Sequence, residues 1–386
     1  MALNAVLKLI PLEGSWRKGN SLKQIPHGNL PGLFFRAFEP QTIAPIDFPP
    51  IDVFQCRNIL LLSHTRLHRR LNLLCDSNVL PIEIGTLNLG YVIDIYRQAK
   101  KSADEHEPPF IPTTHRLVDE RCVLLAGWGP QSWGHFLVEY LPRLLLVKKY
   151  FQTNEILPVY ISEATPSYIL SAMANILGEY NPQFNFFGDN VLTLFEHAIV
   201  PPYINHGGQR GYHPFLSLAL EEWIDETLTP ADRDNREDKV YISRKHNNHT
   251  PITPLRAIVN EDELIERLAE ADFKIVAMED LDIVGKIKVM SSAKLVIGGW
   301  GSGLLNTILS TSHPSVVSLG LGFNSSQDHV CDITNQPYFQ IPTFDPTDKE
   351  TMLTRIGGRS QYVGVNHVLS AVEHVLNRRE SKFNWR

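Results

Sequence analysis

The sequence predicts an α/β protein of two domains, the second of which is built on a doubly wound sheet. A chain of 386 residues is long enough to bury two separate cores. Short apolar runs of strand length alternate with segments of helical periodicity, first between residues 121–200 and again between residues 239–319. This alternation is typical of α/β folds with parallel strands. A glycine-rich turn follows one of these runs, at residues 298–303.

The composition is that of an ordinary soluble protein and argues against several functions. Hydrophobic residues make up 43% of the chain and charged residues 20%, as in most globular domains. The net charge of −6 and the lack of a dense Lys/Arg segment argue against nucleic acid as a partner. The chain start lacks the basic segment of a secretory signal, and no run reaches the roughly 20 apolar residues of a membrane span.

The cysteines point to a reducing compartment. They are few, lie far apart and form no CxxC pair, which argues against a zinc site and against a disulfide framework. Together with the absence of a signal and of a span, this predicts a cytoplasmic protein. The four residues are Cys56, Cys75, Cys122 and Cys331.

The first domain is predicted to span residues 1–230. It opens with an irregular arm at residues 1–55, because prolines interrupt any periodicity there; one short strand is expected at residues 33–38. A charged, proline-marked linker at residues 229–238 closes it. From the length and apolar pattern of each run we predict further strands at 59–62, 91–97, 121–126, 159–161 and 198–200, and helices at 132–150, 167–177 and 214–227.

The helix at residues 132–150 carries three polar side chains on one side. His135, Glu139 and Arg143 follow one another at intervals of four residues, so they share one side of a helix. Two interpretations stay open: the three residues line a cleft, or a partly exposed His–Glu pair only solvates the domain edge. Pro142 removes a backbone donor and should bend the helix.

The second domain is predicted to span residues 236–365, and residues 366–386 to form a C-terminal helix that could cross back to the first domain. Ligands of doubly wound sheets bind at the carboxyl ends of the strands, where both Arg244 and the glycine-rich turn fall. The elements are strands at 239–245, 273–277, 295–297 and 316–319, with helices at 260–271 and 281–292.

The glycine-rich turn is the best candidate for a ligand site. Glycines at positions 298, 299, 301 and 303 let the backbone approach a ligand where a Cβ would clash. The N–H groups of Ser302, Gly303 and Leu304, at the start of the following helix, favour a phosphate or another anion. Asn306 is expected to hold the turn by hydrogen bonds to its backbone.

Four motifs resemble, in their order and spacing, glycosyltransferase family 61, over roughly residues 120–320. At two positions the chain departs from the family pattern: Trp300 stands where a histidine is usual, and Gly285-Lys286 where a Glu-Gln pair is frequent. The four motifs are Gly134-His135-Phe136-Leu137-Val138-Glu139-Tyr140-Leu141-Pro142-Arg143, Tyr241-Ile242-Ser243-Arg244, Asn260-Glu261 and Gly301-Ser302-Gly303-Leu304-Leu305-Asn306.

The resemblance implies a GT-B-like architecture, in which two Rossmann-like domains face each other across a cleft, the first on the acceptor side and the second binding the nucleotide-sugar. It implies inverting transfer of a hexose or pentose from a nucleotide-sugar, usually a UDP-sugar, to a glycan or glycoconjugate acceptor. Bacterial members are associated with capsular and other surface polysaccharides, and eukaryotic members with protein or plant-wall glycans. No cofactor is expected, since the UDP-sugar is the donor substrate and no metal is required. A membrane-linked acceptor would call only for peripheral association with the membrane.

Within such a reaction the candidate residues divide between two tasks. His135 or Glu139 is the expected catalytic residue, because an imidazole titrates near neutral pH and can deprotonate an acceptor hydroxyl while a carboxylate orients it. Arg244 can grip the leaving diphosphate with paired donors, although a strand-end arginine can instead pair with a nearby carboxylate. The predicted substrate-binding set is Arg143, Arg244, Lys245, Trp300, Gly301, Ser302, Gly303, Leu304 and Asn306.

No residue pattern demands a metal ion. Asp280 and Asp282 have the Asp-x-Asp spacing that binds a metal in another class of glycosyltransferases, but they precede a helix, where acidic side chains are favoured anyway. His246 and His249 lie in a polar loop without a third ligand. We therefore expect no metal site.

Two rival functions can be weighed. A nucleotide-dependent oxidoreductase is rejected, because its fingerprint needs a third glycine where this chain has Leu304. The open alternative is a non-catalytic protein, a degenerate transferase that binds a glycan or a nucleotide, with Trp300 closing the donor site.

Overall fold

The protein, seen in a computed structural model, divides into two compact units: Met1–Trp16 with Ile46–Ala219 form unit 1, and Arg17–Pro45 with Leu220–Arg386 form unit 2. Within the described ranges no helix is both long and apolar enough to cross a lipid bilayer. The structure describes residues 3–9, 21–26, 34–39, 51–64, 71–75, 97, 114–206, 211–212, 215–234, 238–244, 257–320, 326–349, 352–353 and 360–383.

The described part of the chain is a mixed α/β protein. The strands in chain order are β1 (Leu3–Leu9), β2 (Ser21–Pro26), β3 (Phe34–Glu39), β4 (Ile51–His64), β5 (Leu71–Cys75), β6 (Thr114–Leu124), β7 (Val159–Ser162), β8 (Phe184–Phe187), β9 (Val191–Val200), β10 (Asn205–His206), β11 (Gly211–Tyr212), β12 (Asp238–Ile242), β13 (Phe273–Val276), β14 (Ala293–Gly299), β15 (Ser315–Leu319), β16 (Tyr338–Ile341), β17 (Thr343–Phe344) and β18 (Met352–Leu353). The helices are α1 (residues 133–151), α2 (Ser167–Leu177), α3 (Phe215–Thr227), α4 (Pro230–Asp234), α5 (Glu261–Glu270), α6 (Ile283–Ser292), α7 (Ser326–Ile333) and α8 (Val365–Phe383), with 3-10 turns at Gly178–Tyr180, Met278–Asp280 and Leu304–Leu309.

Unit 1 is built on a seven-stranded sheet in the order β1-β4-β9-β6-β7-β8, with β5 paired to β4. The strands β9, β6, β7 and β8 run parallel to one another, whereas β4 is antiparallel to β1, β5 and β9. Alternate apolar side chains of these strands form a common core that includes Cys56, Leu124, Tyr160 and Phe195, as expected when successive side chains point to opposite faces.

Helix α1 contains a wide turn. It begins as α-helix at Trp133–His135, continues as π-helix through Phe136–Tyr140, and returns to α-helix at Leu141–Phe151. Pro142 has no N–H to donate to the carbonyl one turn earlier, and the irregularity lies directly before it. The expected distortion of this helix is therefore present, in the form of a π turn.

Unit 2 contains a five-stranded, fully parallel sheet in the order β13-β12-β14-β15-β16. The chain first moves outward from β12 to β13 and then crosses back over β12 to β14. The direction of winding therefore reverses between β12 and β14, and this reversal defines the switch point of an open α/β sheet.

Both faces of the sheet in unit 2 are covered. On one face Leu264 and Leu268 of α5 and Val368 and Val372 of α8 pack against Tyr241 and other strand residues of the same core cluster. On the opposite face the 3-10 turn Leu304–Leu309 lies over β12, since a Cβ on Gly298 would meet Ile242 and Leu304. This arrangement confirms the prediction of a mixed α/β fold.

Some local predictions were wrong. The segment after the glycine-rich turn is a six-residue 3-10 turn rather than an α-helix. Residues 1–55 contain strands in addition to the one expected near residues 33–38. The sequence also predicts that Asn260 caps the helix that follows it; it stands at the N-cap of α5 but makes no capping bond, and its amide bonds the backbone of Val363 instead, at 2.8 and 3.0 Å. The strand predicted at residues 91–97 lies outside the described residues except for Arg97, which is helical.

Candidate functional site

His135 and Glu139 form a hydrogen-bonded pair at the start of α1. His135 Nδ1 lies 2.9 Å from Glu139 Oε1, and the two side chains are 14% and 5% exposed. An ionised carboxylate only accepts hydrogen bonds, so a neutral imidazole bonded to it through Nδ1 carries its proton there and its lone pair on Nε2. A carboxylate that orients an imidazole in this way is the arrangement of a general base.

A tight Gly-Trp-Gly turn covers this pair. Gly129 has a φ of +63°, and a Cβ at that position would lie 2.6 Å from Cδ2 of His135. The rings of Trp128 and His135 meet edge to face with centroids 5.0 Å apart. The turn therefore needs glycine for both its conformation and its close approach, and it holds the imidazole in place.

Arg143 lies in the interior of unit 1 and bonds backbone. Its Nε donates to the carbonyl of Pro201 at 2.9 Å, its Nη1 donates to the carbonyl of Ala126, and its guanidinium lies 4.5 Å from the centre of the Tyr203 ring. The side chain is fully buried. It thus ties α1 to the segments that follow β6 and β9, and its predicted role in binding substrate stays a prediction.

Two tyrosine hydroxyls lie beneath Gly127, and sequence reasoning missed both. A Cβ on Gly127 would lie 2.5 Å from the hydroxyl of Tyr203 and 2.8 Å from that of Tyr140. Burial, together with the charge of Glu139, raises the pKa of both phenols well above the ordinary value, so both stay protonated. The signal that could have found them is the pair of glycines at 127 and 129 directly before a helix.

In unit 2, Glu261 is the centre of a buried hydrogen-bond cluster. Its Oε1 accepts from the hydroxyl of Tyr241 at 3.0 Å, from the hydroxyl of Ser243 at 3.0 Å, and from the backbone N–H of Arg244 at 2.8 Å. The carboxylate lies at the start of α5 and is buried. Bonds to a charged acceptor are the stronger kind, so Glu261 fixes the end of β12.

Arg244 extends from this cluster toward the glycine-rich turn. Its Nη1 donates to the backbone carbonyl of Trp300 at 3.2 Å, and a Cβ on Gly299 would lie 3.2 Å from its Cδ. Burial lowers the pKa of the guanidinium, while the charges of Glu261 and Glu279 raise it. An arginine begins so far above neutral pH that it stays charged.

The turn itself presents a row of backbone donors. The N–H groups of Gly301, Ser302 and Gly303 donate to no acceptor in the described part of the chain, whereas the N–H of Leu304 is taken by the carbonyl of Gly301 at 3.0 Å. Asn306 is buried and donates to the carbonyl of Gly303 at 2.7 Å, so it holds the turn as predicted. Successive N–H groups without an acceptor are the kind of donor that binds an anion.

Arg244 and the turn meet at the switch point of the sheet. Ile242, at the end of β12, is in register with Gly298 of β14, and the two strands are the neighbours between which the winding reverses. Open α/β sheets bind ligands at the carboxyl ends of the strands at this position. The arginine and the donors of residues 301–303 therefore lie where the fold places a ligand.

Comparison with known proteins matches part of the chain to a family. The family model for glycosyltransferase 61 matches residues 133–317. This segment belongs to glycosyltransferase family 61. The resemblance drawn from the sequence is thereby confirmed, and the match supports a glycosyltransferase. No curated protein sequence matches the chain.

The family 61 segment contains both clusters described above. It begins just before the pair of His135 and Glu139, and it ends within β15, beyond the turn and Asn306. The Gly127-Trp128-Gly129 turn lies immediately ahead of it. Lys245, His246 and His249 lie outside the described residues.

The acidic motif of the family 61 segment has a structural role. Asp282 is the N-cap of α6, and its carboxylate accepts the N–H of Gly285 at 2.7 Å. Lys286 is buried and donates to the carbonyl of Leu281. The described residues contain no group of three or more His, Cys, Asp or Glu side chains that could hold a metal ion.

Proposed function

We propose that the protein transfers a sugar from a nucleotide-sugar to a glycan or glycoconjugate acceptor, with inversion at the anomeric carbon. The proposed donor is a UDP-sugar. The observation that carries this proposal is the position of Arg244, whose guanidinium is fixed beside the donors of residues 301–303 at the switch point of a parallel sheet. A diphosphate needs both kinds of partner: a cation, and N–H groups that point at its oxygens.

Arg244 and the N–H groups of residues 301–303 stabilise the leaving group. As the bond to the anomeric carbon breaks, negative charge grows on the diphosphate, and a fixed guanidinium stabilises that charge without having to reorganise. Glu261 keeps Arg244 in place through the backbone N–H rather than through the guanidinium. The paired donors of the guanidinium are therefore not consumed by that carboxylate.

The base of the reaction is His135. Its Nε2 takes the proton of the acceptor hydroxyl, whose oxygen then attacks the anomeric carbon from the side opposite the leaving diphosphate. Glu139 holds Nδ1 at 2.9 Å and stabilises the imidazolium that forms. Arg143 acts as a positioning residue for this helix, since its donors bond the backbone of Ala126 and Pro201.

We further propose that the reaction needs no metal and takes place in the cytoplasm, in the synthesis of a surface or capsular polysaccharide. The N-cap role of Asp282 supports the first point, because that carboxylate already has a structural task. The second is supported by the four cysteines, all of which are buried free thiols. A membrane-linked acceptor would be reached by peripheral association.

The test is a thermal-shift screen of nucleotides and nucleotide-sugars on the wild type and on Arg244→Ala. A ligand at about 100 times its Kd stabilises a fold by about 2.7 kcal/mol, which gives a clear shift of Tm. We expect UDP to stabilise the wild type and not Arg244→Ala. The matched control is Arg267→Ala, which removes an exposed arginine of α5 that pairs with Glu270 and should leave the UDP shift unchanged.

The second candidate function is a degenerate transferase that binds a nucleotide without catalysis, and the presence of Trp300 at the turn favours it. Hydrolysis of a UDP-sugar separates the two, since a pure binder releases no sugar. Under our proposal the wild type hydrolyses the donor slowly and transfers faster in the presence of an acceptor, while His135→Ala binds UDP normally and loses transfer. Normal UDP binding with no turnover of any donor would favour the binder.

A further inference from the structure

Three aromatic side chains surround the turn that precedes α1 and take no part in the chemistry proposed above. We call Trp128, Trp133 and Tyr168 the aromatic platform. The ring of Tyr168 is 53% exposed, and both indoles are partly exposed. Large rings open to solvent are informative, because burying them against a partner yields much free energy.

The rings of the platform are held in place. The hydroxyl of Tyr168 donates to the carbonyl of Gln131 at 3.3 Å, and its ring centroid lies 6.1 Å from that of Trp133. Trp133 in turn contacts the buried ring of Phe136 at 4.9 Å. Rings fixed in this way lose little freedom when a ligand binds, so a ligand gains more of the contact energy.

The turn between the indoles is also fixed, and it holds an unsatisfied acceptor. The N–H of Ser132 donates to the carbonyl of Gly129 at 2.9 Å. The side-chain oxygen of Gln131 is covered and has no hydrogen-bond partner among the described residues. A buried acceptor without a donor is unfavourable, but this oxygen is covered by the protein and is not itself a contact for a ligand.

One ring of the platform lies against the proposed base. Trp128 contacts the ring of His135 with centroids 5.0 Å apart, and Trp133 follows on the other side of the same short turn. A sugar ring combines a face of C–H groups, which packs on an aromatic ring, with an edge of hydroxyls, which forms hydrogen bonds. The exposed rings of the platform suit the first of these features.

We propose that the aromatic platform binds a sugar ring of the acceptor and presents one of its hydroxyls to His135. This inference rests on the proposed function, because it takes His135 as the base. It narrows the acceptor to a carbohydrate, since a peptide that carries only a Ser or Thr hydroxyl has no such face to place on the rings.

The test is binding of methyl glycosides, observed by saturation-transfer NMR, with a panel of the β-xyloside, β-galactoside, β-glucoside and β-N-acetylglucosaminide. We expect at least one glycoside to bind the wild type, and to bind Tyr168→Ala and Trp133→Ala about 10-fold more weakly, the factor that corresponds to 1.4 kcal/mol. Tyr168→Phe keeps the ring and should retain most of the affinity. The matched control is Phe186→Ala, which removes a 41% exposed ring from β8 of the same unit and should change nothing.

The possible outcomes test this inference and the proposed function independently. If UDP stabilises the protein but no glycoside binds, or if the two alanine variants bind as well as the wild type, the platform proposal is overturned and the donor site stands. If binding of a glycoside depends on Tyr168 and Trp133 while UDP does not change the Tm, the platform proposal stands and the transferase proposal fails. Far-UV circular dichroism and UDP shifts of each variant, equal to those of the wild type, exclude misfolding as the cause of a loss.

Discussion

The carboxylate of Glu261 accepts the backbone N–H of Arg244 at 2.8 Å, and it does so with the same oxygen that binds Tyr241 and Ser243. One buried side chain from the start of α5 thus fixes the end of β12 and the two residues that follow it. The guanidinium of Arg244 is left to reach the carbonyl of Trp300. The geometry of the donor site therefore depends on an acidic residue that need not touch the ligand.

Glu261→Gln should weaken both the fold and the donor site. The substitution keeps the volume but removes the charge that three donors share, and hydrogen bonds to charged groups contribute about 1.5–3 kcal/mol each to stability. We expect the free energy of unfolding in urea to fall by about 1.5–3 kcal/mol. We also expect the Tm shift with UDP to become smaller. Glu266→Gln, an exposed residue of the same helix, is the control and should match the wild type in both measurements.

Trp300→Ala should leave Arg244 in place. The arginine bonds the backbone carbonyl of residue 300, which any side chain retains, so the variant reports on the indole alone. If the indole closes the donor site, Trp300→Ala and Trp300→His will bind UDP more tightly than the wild type in calorimetric titration. Weaker binding by both variants would instead mean that the indole contacts the nucleotide.

Gly127→Ala should destabilise unit 1 through a clash that can be relieved. The added Cβ would lie 2.5 Å from the hydroxyl of Tyr203, and overpacking of this kind costs about 1–3 kcal/mol. Tyr203→Phe removes the oxygen closest to that Cβ, so the double variant should recover part of the loss in urea unfolding. Additive losses in the double variant would show that the hydroxyl is not the source of the strain.

Arg143→Ala should be among the most damaging substitutions in the chain. It opens a cavity and strips buried carbonyls of their donors, and losses of about 3–5 kcal/mol are typical of such sites. The control is Arg121→Ala, which removes an arginine that is 41% exposed and pairs with Glu155; an exposed pair of this kind contributes about 0–1 kcal/mol. Equal effects of the two variants would contradict the structural role of Arg143.

Asp332 should make stability fall as the pH rises. Burial raises the pKa of its carboxyl to about 6, so between roughly pH 4 and pH 6 the folded protein keeps a proton that the unfolded chain releases. Stability due to this group is complete below pH 4 and is lost as the pH passes 6. The free energy of unfolding of Asp332→Asn should therefore equal that of the wild type at pH 4. At pH 8 it should exceed the wild-type value by at most about 3 kcal/mol.

The neighbour of Asp332 acts in the opposite direction. Burial lowers the pKa of His329, one turn earlier on α7, so this residue makes stability rise with pH. The quantity to measure is thus the difference between Asp332→Asn and the wild type at each pH, from urea midpoints. A difference that does not vary with pH would contradict the raised pKa, and Asp280→Asn, at an exposed position, serves as the control.

Local patterns were enough to predict much of this molecule. The four-residue spacing of His135 and Glu139 placed them on one side of a helix, where they do bond each other. The apolar runs marked β14 and β15 most clearly, because the inner strands of a parallel sheet that is covered on both faces are largely apolar.

Contacts between residues far apart in the chain were not predictable in the same way. Arg143 meets a carbonyl 58 residues later in the chain, and Glu261 meets a strand end 17 residues earlier. No period in the sequence reports such pairs. The segment Leu304–Leu309 was expected to be an α-helix from its spacing, but six residues are too few for helical periodicity to distinguish an α-helix from a 3-10 turn.

The partners of Arg143 also bear on the order of folding. Its two acceptors follow β6 and β9, which pair in parallel across the connection of residues 125–190, and that connection includes α1 itself, β7, α2 and β8. Such non-local pairings form late, because the entropy of closing a long loop precedes any gain from contacts. Helix α1 can therefore reach its final orientation only after most of unit 1 has assembled. Substitutions at Arg143 should mainly accelerate unfolding and leave the rate of folding nearly unchanged.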